Sequence, residues 1–251
     1  MTTIVFLHIP KTAGQTIHHA LAAAVGGDSH VSPVRLQSQA EGGVYMPAGY
    51  RLYSGHIDWV ELETLPPDRF VFSVLRDPKE RVASFYFFLL KEARAMSAET
   101  LDKPENFGKR QILEMSADEY FFDGDPAWQN FVRDFYDNFY CSYFATRKMR
   151  GRCEVAGLAR ADLMARARAG AAQLNGIYAT TGLARLEADL ARLGLEISVA
   201  NIYHNRGDHV GDEPRWPKLL ALFEREDSAA KLARFAETDA EFMRQVLPKP
   251  L

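Results

Sequence analysis

The sequence predicts an α/β fold: a parallel sheet flanked by helices, with a mainly helical elaboration in the middle of the chain and at its C-terminus. Three observations predict it. An apolar β-rich run, Thr-Ile-Val-Phe-Leu-His-Ile, occupies 3–9 without the alternation of a half-exposed strand. A helical spacing follows directly, with Ile17, Leu21 and Val25 four apart and Gly26-Gly27 as the stop. A second apolar run, 70–75, again hands over to a helix, at Arg76-Asp77-Pro78. Strand, turn and helix, written twice, open a βαβ architecture.

The remaining elements follow in order. Residues 28–50 hold Gly, Pro, Ser and Gln without periodicity and read as a long connection. A weak strand at 50–53 ends at Ser54-Gly55-His56. Pro78 suits a first helical turn, where its missing N–H costs nothing, and the helix runs over 79–95. A polar loop or lid is expected at 97–110. Over 112–144 the pattern is helical and aromatic. Phe131, Phe135, Phe139 and Tyr143 form one i,i+4 stripe beside Val132, Tyr136, Tyr140 and Phe144, the pattern of a deeply buried helix rather than a sugar-stacking surface. An Ala/Arg helix at 158–174 shows Arg160, Arg166 and Arg168 as a solvated face, and 176–181 reads as another strand. A compact amphipathic helix, 183–193, is closed by Gly194. The polar loop 203–214 precedes helices at 215–226 and 228–246. No repeat or linker divides the chain, so a single domain over 1–251 is expected.

Composition narrows the function classes. Hydrophobic residues at 47% and charged residues at 25% are those of an ordinary globular chain, not a disordered one. Thirty Lys plus Arg against thirty-three Asp plus Glu leave −3, so no broad basic surface exists for a nucleic acid, and any anion site is local. No apolar run approaches the ~18 residues of a membrane span. Two cysteines, Cys141 and Cys153, are too few for a disulfide framework or a four-ligand zinc site, and the histidines lack metal-ligand spacing. His18 and His19, adjacent on a helix, point about 100° apart and cannot share a ligand. A soluble, cytoplasmic protein without a metal is expected.

Chemistry concentrates in the turn after the first strand, His8-Ile9-Pro10-Lys11-Thr12-Ala13-Gly14-Gln15-Thr16. A turn that leaves a parallel strand and opens a helix presents backbone N–H groups at the positive end of the helix dipole, a ready anion site. Ala13 and Gly14 leave room for close approach, Lys11 adds a mobile charge, and the Thr12 and Thr16 hydroxyls can donate to anionic oxygens. The Gly-Lys-Ser/Thr ending of an ATP-binding P-loop is absent, which disfavours the usual ATP-Mg site. His8 either lines this site or packs in the sheet.

Read as F-L-H-I-P-K-T-A-G-Q-T, residues 6–16 resemble the 5′-phosphosulfate loop of the sulfotransferase superfamily, whose members use 3′-phosphoadenosine 5′-phosphosulfate (PAPS). The closest flavour is the carbohydrate (uronyl/heparan) 2-O-sulfotransferase type. The resemblance implies a P-loop-like fold in which Lys11 contacts the phosphosulfate, with Thr12, Ala13, Gly14, Gln15 and Thr16 as the cradle. Gln15 stands where the family has a small or hydroxyl residue.

A second stretch, Arg76-Asp77-Pro78-Lys79-Glu80-Arg81-Val82-Ala83-Ser84, matches independently. An arginine at the C-terminal end of a parallel strand points at the crevice where α/β ligands bind, and its planar fork suits a phosphate dianion. The pattern resembles the R-D-P-x-x-R-x-x-S segment of sulfotransferases, which implies that Arg76 and Ser84 hold the 3′-phosphate. Arg81 either joins them or pairs with a carboxylate such as Asp77 or Glu80.

Between the two lies Leu52-Tyr53-Ser54-Gly55-His56. Sulfuryl transfer to an alcohol needs a base, and a neutral histidine serves near pH 7. The stretch resembles the [YF]-x-G-H segment of uronyl and heparan 2-O-sulfotransferases, which implies that His56 is the base; the alternative is a loop histidine capping a backbone group. By the same resemblance the late loop, with Arg206 and His209, closes the adenine side, unless it is only a solvated surface loop. Eukaryotic carbohydrate sulfotransferases usually carry a membrane anchor ahead of this strand, so a soluble, bacterial-style enzyme is expected here. The implied function is sulfuryl transfer from PAPS to a hydroxyl acceptor, a saccharide or glycoconjugate. A P-loop-type kinase, or a non-catalytic module binding adenosine 3′,5′-bisphosphate, remain the alternatives.

Overall fold

The computed structural model describes residues 1–200 and 213–247. Four strands, β1 (Thr3–Leu7), β2 (Leu52–Gly55), β3 (Arg69–Leu75) and β4 (Gly176–Ala179), form one sheet in the order β2-β1-β3-β4. All three pairings are parallel, with Leu7 opposite Gly55 on one side and Ser73 on the other. Helices α1 (Gly14–Ala24), α2 (Pro78–Arg94), α3 (Ala98–Leu101), α4 (Phe107–Glu114), α5 (Ala117–Phe122) and α6 (Pro126–Tyr136) follow. The remainder are α7 (Phe139–Thr146), α8 (Arg160–Ala171), α9 (Leu183–Ala191), α10 (Arg215–Leu220) and α11 (Ser228–Val246). No helix among the described residues is long and apolar enough to cross a membrane.

Burial on both faces explains the unalternating strands. Ile4, Phe6, Phe72 and Val74 point to one face, where Ile17 and Leu21 of α1 and Leu186 and Leu190 of α9 cover them. Val5, Leu7, Val71 and Leu75 point to the other, against Tyr143 and Phe144 of α7, Leu163 and Ala167 of α8, and Phe242 of α11. A separate aromatic cluster joins α2, α5, α6 and α10 around Phe85, Tyr120, Phe121, Trp128 and Tyr136. The expected α/β architecture and its helical elaboration are therefore present.

Strand order marks out a candidate edge. From β1 the chain moves to β2 on one side, and from β3 it moves to β4 on the other. Connections leaving neighbouring strands in opposite directions open a crevice at their C-terminal ends. Here that switch point lies between the turn after β1 and the turn after β3.

Three expectations about elements change. The 97–110 segment is not a plain loop: Ser97 caps α3 and α4 starts at Phe107. The aromatic stretch 112–144 is not one helix. Between α6 and α7, Asn138 turns left-handed at φ 46°. Its amide oxygen accepts from the Thr238 and Asp239 N–H groups, and its own N–H donates to the Phe235 carbonyl. Tertiary bonds to α11 outweigh helical continuity there, although Tyr136, Phe139, Tyr140, Tyr143 and Phe144 are buried as their stripes required. Of the 215–226 helix only Arg215–Leu220 is α-helical.

The end of β2 is held by close backbone contact. A Cβ on Gly55 would sit 2.5 Å from the Arg35 carbonyl oxygen and 2.6 Å from its Cα, and main chain cannot yield as a flexible side chain does. Gly55→Ala should therefore lower stability by about 1–3 kcal/mol, the usual cost of overpacking, measured by urea unfolding. An unchanged midpoint would refute the tight approach.

Candidate functional site

The turn after β1 is built on two left-handed residues without being glycine: Lys11 at φ 71° and Ala13 at φ 67°. Such residues cost on the order of 1–3 kcal/mol each and persist where their surroundings hold them. Thr12 supplies part of that hold. It is fully buried, and its hydroxyl donates to the Ile9 carbonyl at 2.9 Å. Its side chain shapes the turn rather than facing an anion, which differs from the expectation for a cradle hydroxyl. Gly14 differs in a related way. A Cβ there would fall 1.5 Å from His8 Nε2, so the missing side chain makes room for the His8 ring rather than for an approaching anion. Ala13 is half-buried, Gln15 exposed and Thr16 half-buried at the start of α1. That helix has no side-chain cap and no acidic residue in its first turn, leaving its N-terminal dipole uncompensated.

Lys11 is half-buried, with Nζ 3.9 Å above the Phe88 ring. Burial, then the charges of Arg215 and Arg76, push its ammonium down to about 8, and Glu92 only partly offsets them. Its charge also bears on His8 and His56. Lys11 is thus electrostatically coupled both to Arg76 and Arg215 and to the histidines that follow β1 and β2.

Arg76 follows β3 directly. Its N–H donates to the Tyr140 hydroxyl at 3.1 Å, and that hydroxyl donates back to the Arg76 carbonyl at 2.8 Å. The side chain meets Glu80 at 3.4 Å. Glu80 also accepts the N–H groups of Arg215 (3.1 Å) and Trp216 (2.9 Å), binding the start of α10 to this corner. Ser84 is buried one turn beyond Glu80 on α2. Asp77 caps α2, accepting from the Glu80 N–H at 3.0 Å. Arg81 neither reaches the crevice nor pairs with Asp77 or Glu80. It is 1% exposed, donates to the Phe135 carbonyl and stacks 4.6 Å over Phe139.

His56 follows β2. Its Nδ1 lies 2.6 Å from the His8 carbonyl oxygen. A carbonyl can only accept, so Nδ1 carries the proton and, in the neutral ring, Nε2 keeps a free lone pair. The backbone-capping role and the base role therefore belong to different nitrogens of one ring. Burial is the main cause holding the imidazole below its ordinary 6.5, against the raising effect of the His8 carbonyl; Arg35 and Lys11 push it lower. His8 itself is packed, 3% exposed, stacked on Phe6 and 4.0 Å from the His56 ring centre. His18 is buried and His19 exposed, as their adjacency required.

The structure therefore brings Lys11, the start of α1, Arg76 and His56 to one edge. Sequence reasoning missed Arg215, Arg35 and Tyr140. Arg215 opens a helix far along the chain, Arg35 sits in the aperiodic 28–50 stretch, and Tyr140 looked like core. Only the fold places them. The 203–214 loop, with Arg206 and His209, lies outside the described residues except for its last two positions.

No protein-family model matches the sequence, and no curated protein does. Among solved structures, a mouse sulfotransferase complexed with PAP is similar over 97% of this chain and 85% of its own, at 13% identity and a TM-score of 0.31.

Chemically, the edge offers cations and free N–H groups for an anion beside a histidine with an open lone pair. Nitrogen-15 NMR should find neutral His56 in the Nδ1–H tautomer with a pKa below 6.5. An Nε2–H tautomer, or titration above 7, would remove it as a base candidate.

Proposed function

We propose that this chain is a PAPS-dependent sulfotransferase that transfers the sulfuryl group to a hydroxyl, that of a carbohydrate or glycoconjugate, as a single cytoplasmic domain. One observation carries the reading: Lys11, buried and depressed by the charges of Arg215 and Arg76, is coupled to a histidine after β2 whose Nδ1 is taken by the His8 carbonyl and whose Nε2 has no partner among the described residues. Mutually repelling, partly desolvated cations are the complement of a compact polyanion.

The donor would lie across the crevice between β1 and β3. The Lys11–Thr16 turn and the open end of α1 would take the 5′-phosphosulfate, and Arg76 with Ser84 the 3′-phosphate. Lys11, Thr12, Ala13, Gly14, Gln15 and Thr16 act chiefly through main chain and charge, since the Thr12 hydroxyl is already used. His56 Nε2 takes the acceptor proton as the acceptor oxygen bonds to sulfur. The sulfur–oxygen bond to the 5′-phosphate breaks, and Lys11 and the α1 N–H groups hold the negative charge left on that oxygen. The His8 carbonyl fixes the His56 ring throughout and stabilises the imidazolium that forms.

Adenosine 3′,5′-bisphosphate at a hundredfold over its Kd should raise the melting temperature by roughly 5–10 °C, and labelled PAPS with an extract of acceptors should yield sulfated product. No shift at saturation would sink the donor assignment; magnesium-dependent ATP turnover would favour a kinase. Lys11→Ala and His56→Ala should each reduce transfer at least ~100-fold, and near-normal turnover of His56→Ala would reject the base.

Proton linkage offers a further check. A bound dianion favours protonated Lys11, whose ammonium is lowered to about 8 in the free protein. Binding should therefore take up protons around and above pH 8, and affinity should fall as pH rises through that range. Calorimetry in buffers of different ionisation enthalpy would measure this, and Lys11→Arg should abolish it.

A further inference from the structure

Arg76 stands one residue past the paired part of the sheet. β1 ends at Leu7, opposite Ser73, and β4 ends at Ala179, opposite Leu75. Among the described residues no strand runs beside Arg76, so its N–H and C=O need partners from elsewhere. One phenol takes both. The Arg76 N–H donates to the Tyr140 hydroxyl at 3.1 Å, and that hydroxyl donates to the Arg76 carbonyl at 2.8 Å. A neighbouring strand would supply these two partners from two residues; a hydroxyl, donor and acceptor at once, supplies them from one atom.

Tyr140 can hold Arg76 because it is itself held. It is fully buried. Its own N–H and that of Cys141 donate to Asp239, each at 2.9 Å, and the left-handed Asn138 ties the turn before it to α11. Burial pushes the phenol above its ordinary range, so the hydroxyl keeps the proton it donates. The Arg76 side chain has a looser hold, the 3.4 Å contact with Glu80. Where its guanidinium points therefore rests on its main chain, and the main chain rests on Tyr140.

We propose that Tyr140 is a positioning residue of the anion site: it acts through Arg76, fixing the main chain from which the guanidinium reaches the phosphate, and touches no ligand itself. Lys11 is set by a different device, the hydrogen bond from the Thr12 hydroxyl to the Ile9 carbonyl, so the two ends of the site are positioned independently. The inference rests on the reading that Arg76 takes the 3′-phosphate, but the hold on Arg76 can be tested without it.

Adenosine 3′,5′-bisphosphate and adenosine 5′-monophosphate differ only in the 3′-phosphate. Both are titrated by calorimetry into the wild type, Tyr140→Phe, Arg76→Gln and the double variant. Tyr140→Phe, which keeps the ring and removes the oxygen, should weaken the bisphosphate at least ~5-fold and the monophosphate less than about twofold. In the double variant the Tyr140 effect should vanish, because the group it positions is gone. A merely structural tyrosine would weaken both nucleotides alike, and additive losses would place its action elsewhere; either result overturns the proposal. Hydrogen exchange adds a readout that needs no nucleotide. The wild-type Arg76 N–H should exchange at least ~100-fold more slowly than in an unfolded chain. Tyr140→Phe should speed it ~10-fold or more, while the Arg81 N–H, bonded to the Asp77 carbonyl at 2.8 Å, keeps its rate. An unprotected Arg76 N–H, or one indifferent to loss of the hydroxyl, likewise overturns the proposal. If neither nucleotide binds the wild type while exchange at Arg76 behaves as expected, the donor reading fails and the hold of Tyr140 on Arg76 stands.

Discussion

Burial of the Lys11 ammonium close to the charges of Arg215 and Arg76 is the constraint on which the candidate edge depends. Three cations converge where the sheet's connections diverge, and burial removes much of the water that would screen them. Left to itself such a cluster would spread apart. The fold opposes that by fixing main chain as well as by the Arg76–Glu80 pair. Lys11 is held in a left-handed turn stapled by the Thr12 hydroxyl, Arg76 by both hydrogen bonds of the Tyr140 hydroxyl, and Arg215 by the N–H that Glu80 accepts.

That support continues into the interior. Asp239 of α11 accepts the N–H groups of Tyr140 and Cys141, each at 2.9 Å, and so caps the start of α7. Burial raises its carboxyl to about 6, and the two backbone donors oppose the shift. Arg81, stacked on Phe139 beneath the same turn, contributes positive charge near that carboxylate. A chain of contacts thus runs from the last described helix, through Asp239 and Tyr140, to the backbone of Arg76. The second arginine of the Arg76–Ser84 stretch is part of this foundation rather than of the crevice.

What was legible in the sequence was local. Unalternating apolar runs gave away β1 and β3 because both faces of the sheet are covered, whereas the weak strand expected at 50–53 lies two residues later, at Leu52–Gly55. Lys11 and His56 were read from short motif stretches and Arg76 from its place after a strand; the fold sets all three at one edge of the sheet. The rest depended on distant partners. Helical periodicity runs unbroken through 131–144, yet Asn138 breaks it to bind α11. Gly14 read as space for a ligand but is space for His8. Arg35 and Arg215 carry no local pattern, and their meaning lies in what the fold sets beside them.

Glu80 joins chain segments that are 135 and 136 residues apart, and Asp239 reaches 99 residues back to Tyr140. Contacts of such separation carry the full entropy of closing long loops and form after the local ones. The residues that look like the whole site therefore finish within the first third of the chain, while the site itself is completed by the last third. During synthesis the strand turns and α2 emerge long before α10 and α11 can secure them. Assembly of the Lys11–Arg76–Arg215 corner is thus a late event, tied to the arrival of α10 and α11 rather than to the appearance of the chain's most recognisable segments.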